Sequence, residues 1–268
     1  MYLVDYHTHS CCSFDSEAPL LEEANQAIQT GLSELCTTDH CDLIDGDGNR
    51  VYDLDWEPIL TQYEQTRSAC GGKLKLRLGL ELGCAQTDPD CARKILSGAP
   101  LDFVIGSIHN QSLEKGGIDF YFLKYRTQQD CYDALDDYFA SMARLVKLED
   151  CYDVLGHIIY PLRYMKDAEG PPVTLGRYED ILREIFTHAA HAGRGIEVNT
   201  YCGRTVEEWL PVLKLYRACG GEILTVGSDA HVAENIGKGA KEALQLMEEA
   251  GFRYQTVYQG RVPQFIKL

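Results

Sequence analysis

Six of the eight histidines in this 268-residue chain stand at the ends of short apolar runs. His7-Thr8-His9 closes the first run, Thr38-Asp39-His40 the second, GSIH with His109 the fourth, GH with His157 the fifth, and GSDAH with Asp229 and His231 the seventh. The third run carries Glu81 in GLELG, and Asp15 follows the first on a loop. Residues two apart on an extended segment project to the same side, so His7 with His9, and Asp229 with His231, can face one cavity. Taken singly, Asp39 or Asp229 would serve equally well as a helix cap, Glu81 as the partner of a lysine and His157 as a satisfied core imidazole. Taken together they point elsewhere, because chance would scatter histidines over helix surfaces and loops. His188 and His191, three apart on one helical stretch far from any strand end, read as packing or surface residues.

Imidazole nitrogens and carboxylate oxygens without thiolates suit zinc, manganese or iron(II). One tetrahedral ion takes four ligands, so six histidines with Asp15, Glu81 and Asp229 imply two or three divalent ions and at least one bridging carboxylate, for which Glu81 is the choice. Clustered cations of this kind suit hydrolysis of a phosphate ester. Ions held by these residues would be expected to supply a hydroxide of pKa lowered toward ~7 to attack phosphorus in line. Arg163, just after the fifth run, and Arg204, just after the sixth, are candidates to fork onto phosphoryl oxygens, with a surface ion pair as the plain alternative for each. Asn199, ending the sixth run, either donates to phosphate or ties down a loop.

Such residues need a scaffold that delivers many strand ends to one place. Short β-rich runs (YLVDY, SELCTTD, KLKLRLGLELG, LDFVIGSIH, YDVLGH, GIEVNT, EILTVGSD) alternate with helical stretches, giving seven β-then-α units. Strict alternation predicts a parallel sheet with crossover helices, and Gly31, Gly71, Gly193 and Gly220 supply helix stops. A doubly wound sheet would gather few of the polar strand ends, whereas a closed barrel gathers them all at its C-terminal face. The expected fold is therefore α/β, a TIM-like (βα)7 barrel forming a single domain over residues 1–268. The tail from Phe252 to Leu268 is β-like and is expected to close one end. The long, aromatic connection from Asn110 to Arg126 is expected to form a lid or to pack on the rim.

At DYHTHS, TDH, GLELG, GSIH, GHI, EVNT and GSDAH, in this order and spacing, the chain resembles the PHP (polymerase and histidinol phosphatase) superfamily and, within it, the histidinol-phosphate phosphatases. The resemblance spans nearly the whole chain. It implies a distorted barrel of seven βα units around a trinuclear site. It also implies that His7, His9, Glu81 and Asp229 hold one ion, Glu81, His109 and His157 a second, and Asp15, His40 and His231 a third. Some relatives place His where this chain has Asp15, which leaves the third site the least defined. The implied reaction is hydrolysis of L-histidinol phosphate to L-histidinol and inorganic phosphate, the substrate's cationic amine matching acidic walls. Two alternatives stand beside it: a related phosphoesterase acting on phosphotyrosine, nucleotides or DNA ends, or a non-catalytic metal-binding module.

Composition narrows the partners. With 25 Lys+Arg against 41 Asp+Glu the net charge is −16, and no basic stripe is present to follow a nucleic-acid backbone. No apolar run approaches the ~20 residues that span a bilayer. The eleven cysteines, without a CxxC pair or a leader before the first apolar run, read as reduced thiols of a cytoplasmic protein. Cys11, Cys12, Cys41 and Cys202 lie near the motifs above but are expected to pack rather than ligate. DGDGN from Asp45 fails as a calcium loop, because Arg50 stands where glycine is required and Trp56 where the final glutamate belongs. HExxH, GxSxG and GK[ST] motifs are absent.

Overall fold

Each apolar run becomes a strand and each amphipathic stretch a helix that packs back over it. The computed structural model describes residues 1–268. In chain order the elements are β1 (Val4–Asp5), α1 (Leu20–Thr30), β2 (Glu34–Thr37), β3 (His40–Asp42), α2 (Trp56–Cys70), β4 (Lys75–Gly83), α3 (Pro89–Leu96), β5 (Phe103–Ser107), α4 (Gln128–Leu145), β6 (Val154–Leu155), α5 (Glu179–His191), β7 (Gly195–Asn199), α6 (Trp209–Ala218), β8 (Leu224–Gly227), α7 (Ala240–Glu249), β9 (Tyr254–Gln259) and β10 (Val262–Lys267). Helix starts and stops follow local chemistry. Asp55 accepts from the Glu57 amide at the head of α2, Thr127 and Asp130 form a reciprocal capping box on α4, and Gly31 ends α1 in the left-handed conformation at φ 79°.

The strands run parallel in the order β1-β2-β4-β5-β6-β7-β8, with β3 also paired to β4. Beyond β1 and β8 the chain closes on itself. The Tyr6 amide donates to the Val226 carbonyl at 2.9 Å, the Asp229 amide donates to the His7 carbonyl at 2.9 Å, and Thr8 pairs in parallel with Ala230. The result is the nearly closed, single-domain α/β barrel expected from the alternation. Because every strand runs the same way, their C-terminal ends share one face. His7, His40, Glu81, His109, His157, Asn199 and Asp229 all lie at or near that face.

Two packing layers hold the strands. A large cluster seats the helices on the outside of the barrel, with Tyr138, Phe186, Trp209 and Tyr216 among its fully buried side chains. A smaller one fills the interior beneath the polar face with Val4, Tyr6, Phe103, Ile105, Val154 and Ile223, joined by Val257 and Tyr258 from the β9–β10 hairpin. The tail thus plugs the N-terminal end, as its β-like pattern suggested. Tyr6 meets Phe103 edge-on at 5.2 Å, and the Tyr258 amide donates to the Tyr6 hydroxyl at 2.9 Å. No helix is long and apolar enough to cross a membrane. All eleven cysteines are free thiols.

Candidate metal centre

The register of two strands fixes the centre of the site. In the β3–β4 pair His40 lies opposite Glu81, so a ligand-type imidazole is set beside a carboxylate by backbone pairing alone. Glu81 is fully buried, and five imidazoles from four different segments converge on it. His157 Nε2 lies 2.8 Å from Glu81 Oε1 and His109 Nε2 3.2 Å from the same oxygen. His7 Nε2 lies 3.0 Å, His40 Nδ1 3.1 Å and His9 Nε2 3.4 Å from Oε2. Asp229 Oδ1 adds a second carboxylate, 3.6 Å from His7 Nε2 and 3.4 Å from His9 Nε2. Asp15 closes the outer edge, 3.0 Å from His231 Nε2 and 3.6 Å from His40 Nε2. All nine residues singled out as ligands in the sequence are therefore brought together.

The donor atoms fall into overlapping groups within 4.8 Å of one another: His7 with His9 and Asp229, His7 with Glu81 and His157, His9 with His40 and His231, and His40 with Asp42 and His109. The packing leaves donors without partners. His9 Nε2 and His40 Nδ1 are buried and make no hydrogen bond, an expensive condition for a polar atom unless something else meets its lone pair. Divalent ions fit that requirement. The electrostatics agree. Burial, with the imidazoles of His40 and His231 alongside, holds His9 well below the usual histidine range, and burial also lowers His157, so both are neutral donors. Burial alone would raise Glu81 and Asp229, but the charges of His7, with His109 for Glu81 and Arg163 for Asp229, hold both well below the carboxylate range. Both are ready anionic ligands.

Above this cluster opens a cavity of about 700 Å³ lined by Asp15, His40, His109, His157, Asp229 and His231 on the polar side. Phe14, Tyr121, Phe122, Tyr160, Tyr164 and Tyr201 line it on the aromatic side, and Asp45, Asp53 and Asp119 add carboxylates. The connection at 110–126 is a pinned wall here. Asn110 Nδ2 donates to the Asp45 and Gly117 carbonyls at 2.7 and 2.8 Å, and Ser112 is held by Asp137. Its tip presents exposed Tyr121 and Phe122 to the cavity.

The three residues singled out for phosphate differ in placement. The Arg163 guanidinium is buried in the cavity wall, donating to Asp229 Oδ2 at 2.8 Å and Asn199 Oδ1 at 2.6 Å and lying over the Tyr201 ring at 4.2 Å. Of the alternatives for Asn199, the tie to protein is visible: Oδ1 also accepts from the Tyr201 amide at 2.9 Å, and Nδ2 reaches Asp229 Oδ2 at 3.2 Å. Arg204 is exposed and outside the cavity wall, its guanidinium against the Tyr201 ring at 4.8 Å. Tyr201, Cys202 and Gly203 take consecutive left-handed conformations (φ 47°, 53° and 84°), and this turn carries Arg204 outward. His188 meets Glu149 on the surface, and neither it nor His191 approaches the cluster.

Two carboxylates in the cluster were not singled out in the sequence. Asp42 Oδ1 lies 2.6 Å from His109 Nδ1, and Glu197 Oε1 lies 2.6 Å from His7 Nδ1. Each has a signal of the kind that identified the others, since Asp42 is two residues from His40 and Glu197 two residues before Asn199 on the same strand face.

Comparison with known proteins agrees with this geometry. Residues 5–201 match the family model of the PHP domain. The histidinol-phosphatase of Lactococcus lactis subsp. lactis is 27% identical over 264 residues, covering 97% of this chain and 96% of that protein. A probable histidinol-phosphatase of Clostridium acetobutylicum is 28% identical, covering 93% and 94%. The crystal structure of the Lactococcus lactis histidinol phosphate phosphatase, complexed with zinc, L-histidinol and phosphate, superposes with a TM-score of 0.85 at 26% identity over 98% of each chain. A putative histidinol phosphatase from Listeria monocytogenes shares the fold, with a TM-score of 0.69 at 16% identity. With a family model covering most of its length and a strand-end cluster of the kind its motifs describe, the chain belongs to the PHP domain family.

Proposed function

We propose that this protein is a metal-dependent phosphomonoesterase that hydrolyses L-histidinol phosphate to L-histidinol and inorganic phosphate. The single observation that carries the reading is the convergence of five imidazoles on the buried Glu81 carboxylate at the floor of an aromatic-walled cavity. Support comes from the full-length likeness to a phosphatase whose crystal structure holds zinc, L-histidinol and phosphate.

In this reading three ions of zinc, manganese or iron are held, the first by His7, His9, Glu81 and Asp229, the second by Glu81, His109 and His157, and the third by Asp15, His40 and His231. When bound, such ions supply a water of lowered pKa, toward ~7, and offset charge that develops on phosphoryl oxygens. The chain's own residues do the rest. Arg163, fixed by Asp229 and Asn199, faces the cavity with a planar fork suited to phosphoryl oxygens. Asn199 keeps that fork aimed. Arg204, outside the wall, attracts the incoming phosphate and influences binding more than turnover. The acids Asp45, Asp53 and Asp119 complement the substrate's amine, and the wall of Tyr121, Phe122 and Tyr164 shields the reacting end from solvent. Because Asp229 and His231 lie beyond residue 201, the functional unit is the whole barrel, residues 1–268.

Phosphate release measured across histidinol phosphate, phosphotyrosine, a nucleoside monophosphate and a 5′-phosphorylated oligonucleotide tests the proposal. The highest kcat/KM is expected for histidinol phosphate. Preference for phosphotyrosine or a DNA end would move the chain to another phosphoesterase class, and no release from any ester would leave a metal-binding module.

A further inference from the structure

From the packing of two strand glycines we infer that Asp42 and Glu197 are positioning residues, holding the outer nitrogens of His109 and His7 so that the inner nitrogens meet the ions. This rests on the ligand assignment proposed above. Both rings are gripped at two points: Nδ1 by Asp42 or Glu197 at 2.6 Å, and Nε2 facing Glu81 at 3.2 Å for His109 and 3.0 Å for His7. An imidazole that donates from Nδ1 to a carboxylate has its lone pair on Nε2, so the tautomer and the ring direction are set together.

The backbone is built around these carboxylates. A Cβ on Gly83, the last glycine of GLELG, would overlap Asp42 Oδ1 and press on His109 Nδ1. A Cβ on Gly227, in the motif that carries Asp229, would overlap both Glu197 Oε1 and the His7 side chain. Each glycine thus leaves the space its neighbouring carboxylate fills.

Each carboxylate also spans two ion sites. Asp42 Oδ2, which has no hydrogen-bond partner, lies 3.4 Å from His40 Nδ1, while Oδ1 holds His109. Glu197 Oε1 holds the His7 ring, while Oε2 accepts from the His157 amide at 2.9 Å. Asp42 lines the cavity and Glu197 lies behind it, and each meets the cluster through the histidine it holds.

Zinc titration of chelated protein, with bound ions counted by elemental analysis, separates this role from ligation. In Asp42→Asn and Glu197→Gln the affinity is expected to fall roughly ten- to a hundred-fold with the ion count at saturation unchanged. His7→Ala and His109→Ala are expected to lower the count itself, and exposed Glu149→Gln to change neither. Affinity within threefold of wild type in both carboxylate variants would overturn the inference, as would loss of a whole ion in either, which would make that residue a ligand. An unchanged count in both histidine variants would instead overturn the ligand assignment. Long-range 15N spectra of the histidines in zinc-loaded wild type decide the matter even if a variant does not fold. Two imidazoles with slowly exchanging Nδ1–H protons support the inference, and rapid exchange at both sites contradicts it.

Discussion

Replacing Arg163 with alanine should damage stability and turnover through the same two hydrogen bonds, and the size of each effect follows from burial. The guanidinium is 4% exposed and its partner Asp229 8% exposed. Truncating one member of a buried ion pair typically costs about 3–5 kcal/mol, because the other charge is left uncompensated. Asn199 Nδ2, 3.2 Å from Asp229 Oδ2, remains as a donor and places the expected loss toward the lower end of that range. The loss should be largest in chelated protein and smaller with zinc, since a bound cation gives Asp229 another partner. For turnover, removal of a preorganised donor to a developing oxyanion costs about 2.7–4 kcal/mol, or roughly a hundred- to a thousand-fold in kcat. Arg163→Lys should recover only part of this, because one ammonium cannot bridge Asp229 and Asn199 while also meeting a phosphoryl oxygen. Urea unfolding with and without zinc, together with steady-state phosphate release, gives both quantities. A stability change below about 1 kcal/mol in chelated protein, or kcat within threefold of wild type, would refute the reasoning.

Glu81→Gln keeps the shape but removes the charge that five imidazoles share, so bound metal should fall by at least one ion and turnover should be abolished; near-normal activity with full metal content would remove Glu81 as the bridge. Arg204→Ala should raise KM several-fold and leave kcat within about threefold, the pattern of lost uniform binding, and a fall in kcat at constant KM would place Arg204 at the reacting phosphate. The pH dependence of stability should reverse sign with metal. In chelated protein burial opposes the charged form of His40, but Glu81, Asp15 and Asp42 outweigh it and push it up to about 10, while His109 and His40 outweigh burial at Asp42 and hold it far below its usual value. The His40 contribution is complete below its unfolded value near 6.5 and lost as pH rises toward 10; the Asp42 contribution is present above about pH 4 and lost as pH falls. His9 and His157 stay neutral in the fold while their unfolded forms gain a proton below about 6.5, so they add stability as pH rises to that point. Stability of chelated protein should therefore be greatest near about pH 6.5 and decline above it, whereas zinc-loaded protein should gain over the same rise, because metal binding needs neutral imidazoles. A melting temperature of chelated protein that climbs between pH 7 and 9 would contradict this.

The seven βα units were legible because each strand is a continuous apolar run followed by a helix of clear period, and the ligands because they cluster where those runs end. Finer features were not. Strand β3 is only His40–Asp42, resumes after the break at Thr38-Asp39, and has no apolar run of its own. Its pairing with β4 nevertheless sets His40 against Glu81. Glu197 stands two residues before Asn199, but it alternates with Ile196 and Val198 inside an ordinary strand pattern, so that spacing alone does not separate a residue that grips His7 from one that merely lines the barrel. Asp42 escaped for a related reason, since its partner His109 is 67 residues away. Arg204 shows the limit of proximity in sequence: it follows a strand as closely as Arg163 does, but three left-handed residues turn it away from the cavity. Asp229 itself has φ 60°, a local strain of the kind that gathers at functional sites and is held here by the His7 carbonyl.

The most direct test of the account is to strip the protein with chelator and return zinc stepwise, reading bound metal and phosphate release from histidinol phosphate on the same samples. Release should be absent in stripped protein, return with added zinc and saturate near three ions per chain. Undiminished release from stripped protein, or saturation with fewer than two ions bound, would contradict a reaction built on the imidazoles gathered at Glu81.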